Sequence, residues 1–218
     1  MTESTGKRWT HPVRRLALLC AGLVIMAFGV AFSIKAALGT SPISSVTYVT
    51  ARISGLSVGT TTIIMNFLFV LIQIAILRRQ YEWFQLLQFP AAVLFGVMID
   101  VAEAVLAPLP AGNYAQQWLL CAAGIFFIAL GVSVEVMANL VTTAGEGIVL
   151  AICKVVPVKF GNMKMAFDIT LVCISIVLSL LFLGQLDGVR EGTVAALLVG
   201  QITKRFQPLM KTLERAVL

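Results

Sequence analysis

Residues 37–53 read ALGTSPISSVTYVTARI. An apolar run long enough to cross a bilayer breaks off here at Leu38, Gly39, Thr40 and Ser41. Pro42, a residue favoured in the first turn of a helix, then opens a new segment. That segment, 42–53, is rich in Ser and Thr and falls short of the roughly 20 apolar residues a span requires. Residues 139–155, NLVTTAGEGIVLAICKV, repeat the pattern: a break, then a short helix over 144–156 opened by Thr142, Thr143, Ala144, Gly145, Glu146 and Gly147. Two short helices, each set between long apolar runs, decide the fold.

Around these breaks the chain is apolar. Its mean hydropathy is +0.97, 59% of its 218 residues are hydrophobic and 12% are charged, about half the charged share of a soluble domain. Residues 16–37, 58–77, 84–107, 117–138, 162–183 and, more weakly, 188–206 are read as spans. A signal peptide competes for the first run, but the run exceeds the usual apolar core of one. The net charge of +6 comes from termini and short loops, which points to loop bias in a membrane protein rather than to nucleic acid.

The second break lies 102 residues after the first, and at that offset residues 27–74 overlie 129–176 without a gap. Ten positions are identical, among them Gly29, Ala36, Leu38, Thr40 and Gly59, and Asn66 falls on Asp168. The expected organisation is a basic tail (1–15), a first membrane repeat (16–107), an extracytoplasmic loop (108–116), a second repeat (117–206) and a second tail (207–218). Charge chooses the topology. If the short helices re-enter without crossing, Arg78, Arg79, Lys154, Lys159, Lys204 and Arg205 all share the side of the basic N-terminal tail, and the loop 108–116, which has no positive charge, faces the other. Each repeat then crosses three times, so the two have inverted topology. The expected fold is an all-α polytopic membrane protein of two inverted repeats, each with three transmembrane helices and one re-entrant half-helix, with both termini cytoplasmic.

Non-helical backbone at membrane depth is tolerated only inside protein or beside water, and the N-terminus of a half-helix carries partial positive charge. Thr40, Ser41, Ser44, Asn66, Thr142, Thr143, Gly145, Glu146 and Asp168 are therefore the candidate substrate-binding residues. Their Ser and Thr hydroxyls are also expected to cap the two half-helices. The two helix ends favour an anionic group, while Glu146 supplies an intramembrane acid, a functional candidate by default. Lys164, four residues before Asp168, can pair with it. Lys35, Glu135, Arg190 and Glu191 are candidate gate or vestibule residues. Asp100 and Glu103, one turn apart, would bind a cation only if they faced the centre. Trp83, Tyr114 and Trp118 suit interfacial anchors.

The sequence has no phosphate loop, no Cys/His pair and no nucleophile elbow, so no enzyme is expected. Cys20, Cys121, Cys153 and Cys173 lie in apolar segments without metal-ligand spacing, so neither a metal nor another cofactor is expected.

Several stretches resemble the YczE/YyaS/YitT-type bacterial integral membrane proteins: Leu38 to Ser45, Gly55 to Thr60, Asn66, Gln88 with Gly96 and Asp100, Gly145 to Gly147, Phe160–Gly161, Phe167–Asp168 and Val189 to Thr193. The resemblance covers roughly residues 16–206. Thr142–Ala144 depart from it, where a more Gly- and Pro-rich run is expected. It implies a bacterial inner-membrane location and, for some members, support of lipopeptide production through a partner enzyme; it hands over no substrate.

Three functional readings follow. The first is a secondary transporter or exporter of a small polar or anionic metabolite. The second is a substrate-binding membrane subunit of a multi-component importer. The third is a non-transporting partner or assembly factor for a cytoplasmic biosynthetic enzyme. Lipid and a small-molecule substrate are the expected partners, and the small size is compatible with a homodimer.

Overall fold

The computed structural model describes residues 12–196. Within them the elements are α1 (Pro12–Ala36), α2 (Pro42–Ser54), α3 (Val58–Leu77), α4 (Gln88–Leu106), α5 (Tyr114–Ala138), α6 (Ala144–Val155), α7 (Phe160–Leu178) and α8 (Glu191–Ala196). Two 3-10 turns, Arg78–Gln80 and Trp83–Leu87, join α3 to α4, and a π-helical turn, Ser179–Leu183, extends α7. Every regular element among the described residues is helical. Five helices are long and apolar enough to cross a membrane: α1, α3, α4, α5 and α7, with their flanking turns. Of the sixth expected span, 188–206, residues 188–196 are described and contain α8; residues 197–206, residues 1–11 of the first tail and the second tail lie outside the described residues. The helices α1, α5 and α7 start at Pro12, Tyr114 and Phe160, a few residues before the apolar runs expected from sequence.

α1 and α5 form the centre, antiparallel along their whole length. Gly22 faces Gly131, and Gly29 faces Gly124. A Cβ on Gly29 would lie 2.9 Å from the Gly124 carbonyl oxygen, and one on Gly124 the same 2.9 Å from that of Gly29. Without a hydrophobic drive between helices in lipid, close backbone approach at small residues is what holds such a pair. One end of the pair is pinned by a side chain. Arg15, buried at the start of α1, donates from Nη1 to the Ala138 carbonyl at the end of α5, 2.9 Å away.

Both helices stop in the same way. Ala37 and Asn139, 102 residues apart, each take a left-handed conformation, with φ of 55° and 46°. Such a residue just past a helix closes its last turn. The chain then runs extended to Ser41 and Thr143, where α2 and α6 begin. α6 packs on α3 and α2 packs on α7, so each short helix rests on a long helix of the other half. The first break is also held by the segment before α8. Thr40 N donates to Gly188 O, Gly192 N to Leu38 O, and Arg190 Nη1 to Ala37 O.

Candidate functional site

The starts of the two short helices meet: Ile43 of α2 lies against Gly145 of α6. Beside that meeting point is a cavity of about 670 Å³, within the usual range for small-molecule sites. Leu19, Leu23, Met26 and Val30 of α1, Phe95 of α4, and Ile128 and Val132 of α5 make an apolar wall. The rest is polar, and much of it comes in pairs 102 residues apart: Ser41 and Thr143, Ser44 and Glu146, Thr62 and Lys164, Asn66 and Asp168. Gln88, Thr47, Thr142 and Glu135 complete it.

Of the residues expected at a substrate site, Ser41, Ser44, Asn66, Thr142, Thr143, Gly145, Glu146 and Asp168 line this one cavity. Thr40 does not. Its hydroxyl is buried without a hydrogen-bond partner, because the backbone pairing with Gly188 turns the residue into the protein.

The expected hydroxyl caps are absent. Neither Ser41 nor Thr143 accepts a capping hydrogen bond at its side chain. Ser41 Oγ instead donates to Ser44 Oγ at 2.9 Å. At α6 the cap comes from elsewhere: Oε1 of Glu135, on α5, accepts from Thr143 N at 2.6 Å. A carboxylate at a helix N-terminus satisfies an orphan N–H and opposes the helix dipole, and here it reaches across the break. Glu135, expected at a gate or vestibule, thus stands in the cavity wall, only 4% exposed.

The carbonyls at the first residues of α2 and α6 are satisfied by different means. In α2, Ser45 Oγ donates to Pro42 O at 2.8 Å. The position 102 residues on is Gly147, which has no hydroxyl. Gln73 of α3 fills the gap: its Nε2 donates to Ala144 O at 3.0 Å and to Gln88 Oε1 at 3.2 Å. Its own counterpart, Ser175 of α7, is buried without a partner.

Lys164 and Asp168 form the expected ion pair, 2.6 Å apart one turn along α7. The remaining expectations are redistributed. Lys35 donates to Ala107 O, tying α1 to the end of α4. Arg190 serves the first break and pairs at the surface with Glu191, so neither lines the cavity. Asp100 accepts from Gly59 N and Ser57 Oγ, both at 2.7 Å, and caps α3 rather than facing the centre. Trp83 is 84% exposed, and Tyr114 packs edge-on to Trp118, an arrangement that suits an interface. Sequence reasoning did not single out Glu135 as a cap, nor Thr62, Gln73 and Gln88 as site residues. For Thr62 the 102-residue offset onto Lys164 was an available signal; Gln73 had none.

A family of unknown function (DUF6198) matches residues 13–208. An uncharacterized membrane protein, YczE, of Bacillus subtilis (strain 168) is 33% identical over 141 residues, 64% of this chain and 60% of that protein. The match therefore spans less than two thirds of the relative's length. No solved structure matches.

Proposed function

We propose, for a chain that belongs to this family of unknown function and is a helical membrane protein, that it is a secondary transporter of a small polar metabolite, working by alternating access around the cavity between α2 and α6. The observation that carries the reading is the cavity itself. It lies where the first turns of two short helices meet, and its polar lining is drawn in pairs from both halves of the chain. Paired broken helices beside a central solute site are the architecture of inverted-repeat transporters.

The packing of α1 on α5 supports an inverted repeat. Gly22 and Gly124 are 102 residues apart, as are Gly29 and Gly131, and the contacts exchange them: Gly22 with Gly131, Gly29 with Gly124. Such an exchange is what a two-fold axis produces. Between antiparallel membrane helices that axis lies in the membrane plane, which inverts one half relative to the other. The crosswise packing of α2 on α7 and α6 on α3 has the same symmetry. On this reading α2 and α6 are re-entrant, each leaving and returning to one side, and the positive-inside bias puts both termini in the cytoplasm of a bacterial inner membrane.

The test is sidedness. Single cysteines at Ser44 and Asn66, in a chain whose four native cysteines are replaced, are probed with an impermeant maleimide in right-side-out and inverted vesicles. Alternating access predicts labelling of each from both sides. Labelling from one side only, under every condition tried, would sink the proposal. Cysteines at Leu56 and Pro157, past the ends of α2 and α6, should label from opposite sides if both short helices re-enter.

A further inference from the structure

We infer that the cavity selects a lipophilic organic cation, its positive centre held at Glu146 and its apolar body against α1 and α4. The inference rests on the transporter reading and replaces its polar metabolite by a solute that is charged at one end and apolar over the rest.

The sign of the cavity decides between cation and anion. Among the described residues its wall holds three carboxylates, Glu135, Glu146 and Asp168, and one ammonium, Lys164, a balance of −3 + 1 = −2 when all are ionised. The N-termini of α2 and α6 each contribute about half a positive charge. Crediting both in full leaves about −1. With one carboxylate protonated the balance reaches about zero, and it turns positive only if two of the three are neutral. The helix ends that favoured an anion in the sequence are thus outweighed by acids lying beside them.

The partners decide where the positive centre sits. Asp168 is taken by Lys164 at 2.6 Å, and one oxygen of Glu135 by Thr143 N at 2.6 Å. Glu146 makes no hydrogen bond or ion pair with a described residue, although it stands within electrostatic reach of Glu135, Lys164 and Asp168. Asn66 and Thr62 of α3 are 8% and 4% exposed, line the same space and make no hydrogen bond to a described residue. Buried polar groups are normally satisfied, so unpartnered ones around a central space point to a polar ligand there. Opposite them, Leu23, Met26, Val30 and Phe95 offer no donor or acceptor, only a wall that adapts to an apolar body. A positive centre joined to a bulky hydrocarbon matches both faces.

Tetraphenylphosphonium is the probe, with tetraphenylborate as its anion of the same shape and triphenylphosphine oxide as the neutral control. Each is measured by equilibrium binding to the full chain in lipid nanodiscs, after subtraction of empty discs. The phosphonium should bind saturably and the other two should not. Glu146→Gln should weaken that binding at least tenfold, and Lys164→Gln should tighten it several-fold by removing the lone positive charge; if Glu146→Gln does not fold, the Lys164→Gln arm decides alone. Saturable borate or neutral binding without phosphonium binding overturns the cation inference and leaves the transporter reading standing, as does unchanged or weaker binding in Lys164→Gln. No saturable binding of any probe by folded wild type overturns the cavity as a solute site, and the transporter reading with it.

Discussion

Gly147→Ser should have opposite effects in two backgrounds. In the native chain, a Cβ on Gly147 would lie 2.6 Å from Gln73 Oε1 and 3.0 Å from its Cδ and Nε2. The Gln73 amide must move, losing its hydrogen bonds to Ala144 O and Gln88 Oε1, and overpacking of this kind costs about 1–3 kcal/mol. Gln73→Ser alone removes the amide's hydrogen bond to the Ala144 carbonyl, which still accepts from Ile148 N within α6, at a cost of about 0.5–1.5 kcal/mol. Adding Gly147→Ser to Gln73→Ser puts a hydroxyl where α2 has Ser45, which reaches Pro42 O at 2.8 Å. The second substitution should then restore about 0.5–1.5 kcal/mol. The better helix propensity of Ser over Gly acts in both backgrounds and cancels. The expected coupling is about 2–3 kcal/mol, at the upper end for residues in contact. The assay is unfolding of all four variants in mixed SDS micelles, followed by tryptophan fluorescence. If Gly147→Ser destabilises both backgrounds by the same amount, within about 0.5 kcal/mol, the argument from the equivalence of α2 and α6 is wrong.

Three further outcomes are checked by the same unfolding measurement. Glu135→Ala leaves Thr143 N unsatisfied and should cost about 1.5–3 kcal/mol, the range for a bond to a charged group, whereas Glu135→Gln keeps an acceptor and should retain most of that. Gly29→Leu drives a side chain into Ile128 N and Gly124 O, 2.6 and 2.9 Å from its Cβ. It should cost about 3 kcal/mol or more, against no measurable effect for Gly112→Ala, where nothing lies within 4 Å. Ala37→Asn or Ala37→Gly relieves a left-handed alanine at φ 55° and should stabilise by about 1 kcal/mol.

Long apolar runs, breaks and short helices were legible because each is written in consecutive residues. Val58–Leu77 matches its expected run to the residue, since Gly55 with the Ser57 cap at one end and Arg78–Arg79 at the other are local signals. The Lys164–Asp168 pair was legible for the same reason, being one helical turn apart. The bonds that hold the breaks in place were not. Arg15 reaches Ala138 O across 123 positions and Arg190 reaches Ala37 O across 153. No local pattern marks which distant carbonyl a buried guanidinium will find. The caps misled for a related reason: Ser and Thr at an N-cap position normally supply the acceptor, but the Ser41 hydroxyl bonds Ser44 Oγ, and at α6 the acceptor, for Thr143 N, comes from Glu135 on another helix.

The pairs around the cavity are polar in both halves but charged in only one. Ser33, Ser44, Thr62 and Asn66 have Glu135, Glu146, Lys164 and Asp168 as their counterparts 102 residues on. In an inverted repeat that alternates, the two halves exchange conformations between the inward- and outward-facing states, so identical halves would give two states of equal energy. With every charged group that the described residues give the cavity wall carried by the second half, that equality is broken without disturbing the shared backbone plan. A ligand shifts such an equilibrium only through its differential affinity for the two states. A cation bound to Glu146 acts on the half that carries the charges, while the neutral half supplies hydrogen bonds and shape. On the transporter reading, the near-symmetric glycine crossing allows both states, and the asymmetric carboxylates give the solute a means of choosing between them.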